Sequence, residues 1–442
     1  MKNISFHDGV DTVAVCVPDT VGRLIGKRIA VARYNEIAER GLPMPDYHLV
    51  NGIENVPYKD LEITGESTGF GNGLLIPIPD SCFYLSDEPN TAFVLAEPQS
   101  IDGILIEQAP RQILKRQLER LSRRGIAARV ASELEFFLFQ NSYEAAYHEG
   151  YKQLEPFYHF HADWDVLLAG YVEPTIRAIR NELINSKIEF EGYQGEGGAG
   201  QYEINMPPGN AIEAADKHSI FKHIVKSVAH SKRCSASFMA KIDSNVPGSS
   251  CHVHISLTDI DGKPFDQLGD TERSFIAGLL SFSPELTLLH APYENSYRRL
   301  RPGTFAPCDV SWGWDNRTVM VRLIRQSDQT RIEFRLPGGD VNPYLCFAGI
   351  LAAGIEGVDQ ELELPAPTEG SAYKNVMNHD ESEPKLPLDL TQSLEAFRKS
   401  ELAKKSFSIP VHKHLFDLGL HELNAGRSIV TDWQMERGFE RA

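Results

Sequence analysis

Residues 131–139 read ASELEFFLF, and the alternation of acid with bulky apolar residue in that run decides how the chain is built. In a β-strand successive side chains point to opposite faces, so Glu133 and Glu135 share one face while Leu134 and Phe136 share the other. Two further stretches repeat the pattern. SSCHVHISL (249–257) sets His252 and His254 against Val253 and Ile255, and TRIEFRLP (330–337) sets Arg331, Glu333 and Arg335 against Ile332 and Phe334. Together they describe a sheet with one packed apolar face and a reverse that carries charge.

A lone Glu-x-Glu is ordinary polar-out alternation on a wet edge strand. A run as apolar as ELEFFLF points instead to a strand buried on both faces. Two carboxylates there repel each other and shift toward protonation unless cations share the site, and metal ions are suitable partners. GEGGAGQYEIN (195–205) adds Glu196 and Glu203 on a flexible glycine turn that can bring both toward the Glu133/Glu135 face. Gly195, Gly197 and Gly200 also match G-x-G-x-x-G, but the match lacks a preceding βα context and carries an acid inside the supposed phosphate cradle, so a dinucleotide site is rejected. Hard oxygen donors in this number suit Mg²⁺ or Mn²⁺ rather than zinc.

Taken singly, each histidine is more often a satisfied core residue than a ligand. Side by side next to an acidic cluster, one suits a metal shell and the other a phosphate. The arginines set the reaction class. NSYRRLRPG (295–303), DNRTVMVRLIR (315–325) and TRIEFRLP supply Arg299, Arg317, Arg322, Arg331 and Arg335 among others, and surface exposure is the ordinary fate of any one of them. Arg331 and Arg335 flank Glu333 on the charged face, where guanidinium groups bind phosphate bidentately and neutralise charge that develops in phosphoryl transfer. An acidic metal cage beside an arginine set reads as nucleotide phosphate handling.

The rest of the chain agrees with a soluble enzyme. At 442 residues it has room for two or three domains, and its net charge of -17 argues against broad contact with nucleic acid or an anionic membrane. The six cysteines form no CxxC pair and are expected to be reduced and mostly buried. The start, MKNISFHDGVDTVAV, has no signal-like run, and LCFAGILAAG (345–354) is too short to span a bilayer, so a cytoplasmic location is expected.

Residues 1–105 are rich in β-branched residues and turn signals, whereas APRQILKRQLERLSRRG (109–125) opens a region of alternating strands and helices. The expected fold class is α+β, with a small β domain over 1–105 and a larger catalytic domain over 106–442. Helices are expected over EPTIRAIRNELINS (173–186), AADKHSIFKHIVKSVAHSKR (214–233) and LTQSLEAFRKSELAKKSF (390–407).

In order along the chain, PRQILKR, ELEFFLF, EGGAGQYEIN, GSSCHVHISL, NSYRRLRPG, NRTVMVRL and RIEFRLPGGDVNPYLCFAGILAAG resemble the glutamine synthetases, over most of the length. The resemblance implies an N-terminal β-grasp domain, a catalytic domain on a curved antiparallel sheet with flanking helices, and homo-oligomeric stacked rings, as in a dodecamer. It implies a first metal site of Glu135, Glu196 and Glu203 and a second of Glu133, His252 and Glu333, two or more Mg²⁺ or Mn²⁺ ions in all, with ATP as co-substrate. His254, Arg317, Arg322 and Arg331 would surround the transferred phosphoryl group. Arg299 would hold the α-carboxylate of glutamate, Arg335 its γ-carboxylate, and Gly248 its amino end.

Departures from the family pattern point to the acceptor. Where ammonia-using members carry a glutamate, RLRPGTFAPCD (299–309) carries Phe305, which can neither accept a proton nor hold a small hydrated cation. The N-terminal Asp-Gly-Ser-Ser segment that helps bind ammonium is also missing. An aromatic wall suits the carbon skeleton or the ammonium of a larger amine, and Trp312 and Trp314 are candidates to extend it, with core packing expected for at least one. The expected reaction is ATP-dependent transfer of a γ-glutamyl group to a primary organic amine, as in the branches that use polyamines, ethanolamine or alkylamines. An ordinary glutamine synthetase and a catalytically silent relative are the alternatives. NHDESEPKLP (378–387) has no tyrosine, so control by adenylylation is not expected.

Overall fold

The chain, here a computed structural model, is described over residues 4–59, 61–265, 268–325, 330–373 and 385–441. The acidic stretch NHDESEPKLP therefore lies largely outside the described residues.

The first sheet is built from β1 (Thr12–Pro18), β2 (Leu24–Ala30), β3 (Leu42–Pro45), β4 (Asn72–Pro77), β5 (Phe83–Tyr84) and β6 (Thr91–Ser100), in the order β2-β1-β6-β4-β3 with β5 on β6. β1 pairs antiparallel with β2 and parallel with β6, and the helix Tyr34–Arg40 packs across the sheet, the β-grasp arrangement expected. β1 reads TVAVCVP and is apolar on both faces for a reason. Val13, Val15 and Val17 pack with Tyr34, Ile37 and Met44 in a small core, whereas Ala14 and Cys16 join Phe83, Phe93 and Leu95 in the large core of the rest of the chain.

The second sheet holds β7 (Ile126–Phe139), β8 (Gly192–Gly195), β9 (Gln201–Asn205), β10 (Gly209–Asn210), β11 (Ser235–Ser237), β12 (Cys251–Asp259), β13 (Trp312–Trp314), β14 (Val321–Arg325) and β15 (Thr330–Phe334). Its order is β13-β14-β15-β12-β7-β9-β8, with β10 and β11 also on β7, and every pair but β13–β14 is antiparallel. Leu134, Phe136, Val253, Ile255, Ile332 and Phe334 are buried to within 1 % on one face. This is the α+β architecture expected, and alternation assigned the faces correctly.

Helices seal the apolar face. Pro110–Ser122 starts on its proline and is followed by Gly125 at φ 71, as its residues predict. The helix Pro343–Asp359 contains LCFAGILAAG and is buried over nearly its whole length, and no described helix is long and apolar enough to cross a membrane. Asn342 caps it, accepting from Tyr344 N at 3.0 Å, and donates from Nδ2 to the carbonyls of Asp19 and Thr20 at 3.1 Å each. The single helix expected over 390–407 is instead two, Leu390–Lys399 and Glu401–Phe407. Ser400 breaks it by adopting extended backbone and capping the second piece through Oγ, which accepts from Ala403 N at 2.8 Å. All six cysteines are free, with only Cys82 and Cys308 half-buried.

Where Pro343–Asp359 crosses Asp270–Leu286 the backbones nearly touch. A Cβ on Gly357 would lie 2.1 Å from Ser274 O and 2.6 Å from Gly278 Cα. Gly357→Ala is therefore expected to lower stability by at least about 1–3 kcal/mol through overpacking, read as a fall in Tm by calorimetry. Gly438→Ala, with nothing within 4 Å of its Cβ, serves as the neutral control.

Candidate active site

Cross-strand register brings the charged residues together. Glu135 pairs with Glu203 and Glu203 with Gln194; Glu133 pairs with Asn205 on one side and His252 on the other; His254 pairs with Glu333, and Glu333 with Arg322. Residues distant in sequence thus occupy three adjacent rungs on one face.

One half of that face is acidic. Glu135, Glu196 and Glu203 each offer an oxygen within 4.8 Å of the others, the group expected for a first metal ion. Burial first, then the charges of Glu135, Asp163 and Glu133, push Glu196 up to about 8. Burial and the charges of Glu133, Glu135 and Glu196 push Glu203 well above its ordinary range. Neutral partners hold the group in place. Glu135 Oε2 accepts from Ser250 N at 2.9 Å and Gln201 Nε2 at 3.0 Å, Glu203 Oε1 accepts from Asn205 Nδ2 at 2.9 Å, and Glu196 Oε1 accepts from Gln194 Nε2 at 3.0 Å. No Lys, Arg or His among the described residues pairs with these three acids. Buried oxygen donors held together without a cation fit a hard divalent ion.

The other half carries its own countercharge. His254 Nε2 lies 2.8 Å from Glu133 Oε1, and His252 Nδ1 lies 3.5 Å from both Glu133 Oε2 and Glu333 Oε1. Burial pushes Glu133 up, but contact with His252 and His254 outweighs it and holds that carboxyl well below the usual range. Glu333 is likewise raised by burial and then brought below the usual range by Arg335 and the two histidines. Arg322 Nη1 donates to Glu333 Oε2 at 2.9 Å, and Arg335 Nη1 donates to Glu333 Oε1. Here Glu133, His254 and Glu333 each offer a donor atom within 4.8 Å of the others, whereas the set expected from sequence takes His252; the structure brings both imidazoles to Glu133.

Several buried donors face this half without a partner. His254 Nδ1, Arg322 Nε, Arg331 Nε and Arg335 Nε have none among the described residues. Unpaired buried donors are rare, and a cluster of them suits an anion with several oxygens. Two of them, His254 and Arg331, line a cleft of about 380 Å³ together with Arg129, Glu133, Asn205 and Ser256. Arg317 is not gathered in. It stands exposed between β13 and β14 with no side-chain partner among the described residues.

Arg299 is buried beside this face, with Nη1 donating to Leu336 O at 2.9 Å and Nη2 to Arg335 O at 3.1 Å. Gly248 packs on its stem: a Cβ there would stand 2.7 Å from Arg299 Cγ and 2.6 Å from Ala240 O. Phe305 is 69 % exposed at φ 58, and its carbonyl accepts from Arg335 Nη2 at 3.4 Å. Trp312 is core, its Nε1 donating to Pro365 O at 2.9 Å, while Arg325 stacks over Trp314 at 4.5 Å.

Gln201, Asn205, Ser250 and Ser256 were missed by the sequence reading. Each lies two residues from a named ligand candidate on the same strand face or turn, so the period-2 argument applied to polar neutral residues would have found them.

A family model for the glutamine synthetase catalytic domain matches residues 107–438. The chain is 39 % identical over 437 residues to the γ-glutamylethanolamide synthetase GlnA4 of Streptomyces coelicolor, covering 98 % of this chain and 93 % of that one. It is 30 % identical over 449 residues to a glutamate–isopropylamine ligase of a Pseudomonas species, covering 97 % and 95 %. A solved structure of GmaS in complex with ADP superposes with a TM-score of 0.85 at 25 % identity over 98 % and 97 % of the two chains.

The acidic half predicts how stability depends on pH once divalent ions are stripped by a chelator. Glu196 has an ordinary value of 4.5 and a folded value of about 8, so between these the folded state binds more protons than the unfolded one and stability falls as pH rises. Glu133 and Glu333 act oppositely, but their contribution is lost only below the ordinary carboxylate range. The expected result is a Tm that falls from about pH 4.5 to about 8, is restored by Mg²⁺, and falls less in Glu203→Gln.

Proposed function

The chain belongs to the glutamine synthetase family and is an ATP-dependent ligase, and from that premise we propose that it joins L-glutamate to a primary organic amine, giving a γ-glutamylamide, ADP and phosphate. The observation that carries the choice of acceptor is the turn around Phe305. Residues 301–307 contain no carboxylate, and the side chain set out at the surface is a phenylalanine in the left-handed region, a conformation that costs on the order of 1–3 kcal/mol. An apolar ring there favours an acceptor with a carbon skeleton. The names of the ethanolamide and isopropylamine relatives support the same reading.

In this proposal Glu135, Glu196 and Glu203 hold one Mg²⁺ or Mn²⁺, and Glu133 and Glu333, with His252 or His254, hold another. Bound there, the ions would neutralise phosphate charge and polarise the phosphoryl oxygens. His254, Arg322 and Arg331 receive the nucleotide phosphates on donors otherwise unpartnered, and Arg317 closes over them from the β13–β14 loop. Arg299 takes the α-carboxylate of glutamate, Gly248 the amino end and Arg335 the γ-carboxylate. A γ-carboxylate oxygen attacks the terminal phosphorus of ATP and ADP leaves. The amine, once it has lost its ammonium proton to water, attacks the activated carbonyl carbon through its nitrogen lone pair, phosphate departs, and the nitrogen gives up a second proton. Glutamate, ATP and the amine are the small-molecule partners, in a homo-oligomer.

Phosphate release with glutamate, ATP and Mg²⁺ tests this directly, comparing ammonium with ethylamine, ethanolamine and putrescine. An organic amine is expected to exceed ammonium in kcat/KM by at least about tenfold. Phe305→Glu is expected to narrow that gap by restoring an anion. Equal turnover with ammonium would instead assign an ordinary glutamine synthetase, and absence of nucleotide binding would assign a silent relative.

A further inference from the structure

The turn that carries Glu196 has a neighbour laid along it. Asp163 forms a parallel bridge with Gly195, and Trp164 N donates to Gly195 O at 3.3 Å. Ala162 sits so close that a Cβ on Gly195 would lie 2.3 Å from its carbonyl oxygen, and His161 Nδ1 reaches the carbonyl of Gly197. Contacts on both sides of Glu196 therefore fix the segment 161–164 beside the acidic half of the site.

Asp163 is exposed there, and no cation among the described residues pairs with it, although its charge is felt by Glu196. Glu135, Glu196 and Glu203 would hold a divalent ion among themselves, and Asp163, exposed beside them, is not one of that donor group. A carboxylate so placed repels glutamate and phosphate. It attracts the one substrate that arrives as a small cation, a protonated amine. Trp164 follows it directly and Phe160 precedes it by three residues, 72 % and 67 % exposed, apolar surface suited to an alkyl group carrying an ammonium.

We propose that Asp163 receives the ammonium group of the acceptor amine and so is a specificity-determining residue of this ligase. The assignment rests on the reading of the chain as a γ-glutamyl–amine ligase. Losing a charge-assisted contact to a substrate cation weakens its binding by roughly tenfold or more.

The test is steady-state kinetics of the full-length protein, using whichever of ethylamine, ethanolamine and putrescine the wild type turns over best. Asp163→Asn is expected to raise the KM for that amine by roughly tenfold or more while the KM values for glutamate and ATP move by less than about twofold, and Asp163→Glu is expected to recover most of the amine affinity. An unchanged amine KM in Asp163→Asn overturns the assignment and leaves the ligase reading standing. A parallel loss in all three KM values, not rescued by Asp163→Glu, also overturns it by showing a structural role. Turnover by the wild type with ammonium equal to that with the best organic amine overturns the γ-glutamyl–amine reading and the subsite with it.

Discussion

The antiparallel register of β9, β7, β12 and β15 is the constraint on which the site depends. Glu135 opposite Glu203, Glu133 opposite His252 and His254 opposite Glu333 all follow from it, and each places a polar group where the next rung needs one. The same register puts Leu134, Val253, Ile332 and Phe334 against the helices. A slip of one residue in β7 would exchange the faces, setting two carboxylates into the core and two large apolar side chains on the charged side. Burial of the apolar face thus holds together a charge arrangement that would not assemble by its own electrostatics.

That arrangement is unequal across its width. Around Glu133 and Glu333 the protein supplies its own partners, the imidazoles of His252 and His254 and the guanidinium groups of Arg322 and Arg335. Around Glu135, Glu196 and Glu203 the side-chain hydrogen-bond donors among the described residues are amides and a hydroxyl. Under the proposed metal roles, a divalent ion in the second group would relieve repulsion and displace protons, whereas one in the first would have to compete with imidazoles already in contact. Two ions so held would differ in affinity and in pH response even though both groups use carboxylates.

Much of this was legible in the residues. The period-2 runs located β7, β12 and β15 and sorted their faces, and Pro110 and Gly125 bracketed a helix where they stand. What the residues do not display is anything decided by distance between strands. Whether His252 or His254 completes a donor group turns on a difference of less than an ångström between contacts to Glu133. Arg317 and Arg322 look alike in DNRTVMVRLIR, yet one is exposed and the other bonded to Glu333, because only Arg322 sits on a paired strand. The break at Ser400 went unseen because a serine within an apolar helical period is as compatible with a continuous helix as with a cap. Asp163 carries no local signal, since its place beside Glu196 comes from a backbone bridge to a segment thirty-odd residues on.

The two-sided burial of β1 has a consequence for how the chain comes apart. Val13 and Val15 belong to the small core, Ala14 and Cys16 to the large one, and the Asn342 amide ties the turn after β1 to the most buried helix in the catalytic sheet's backing. Local opening of the first sheet would strip Phe83, Phe93 and Leu95 from the large core at the same time. The N-terminal region is thus not an appendage with its own melting transition: the chain should unfold as one cooperative unit, and amides of β1 should be protected from hydrogen exchange as strongly as those of β7.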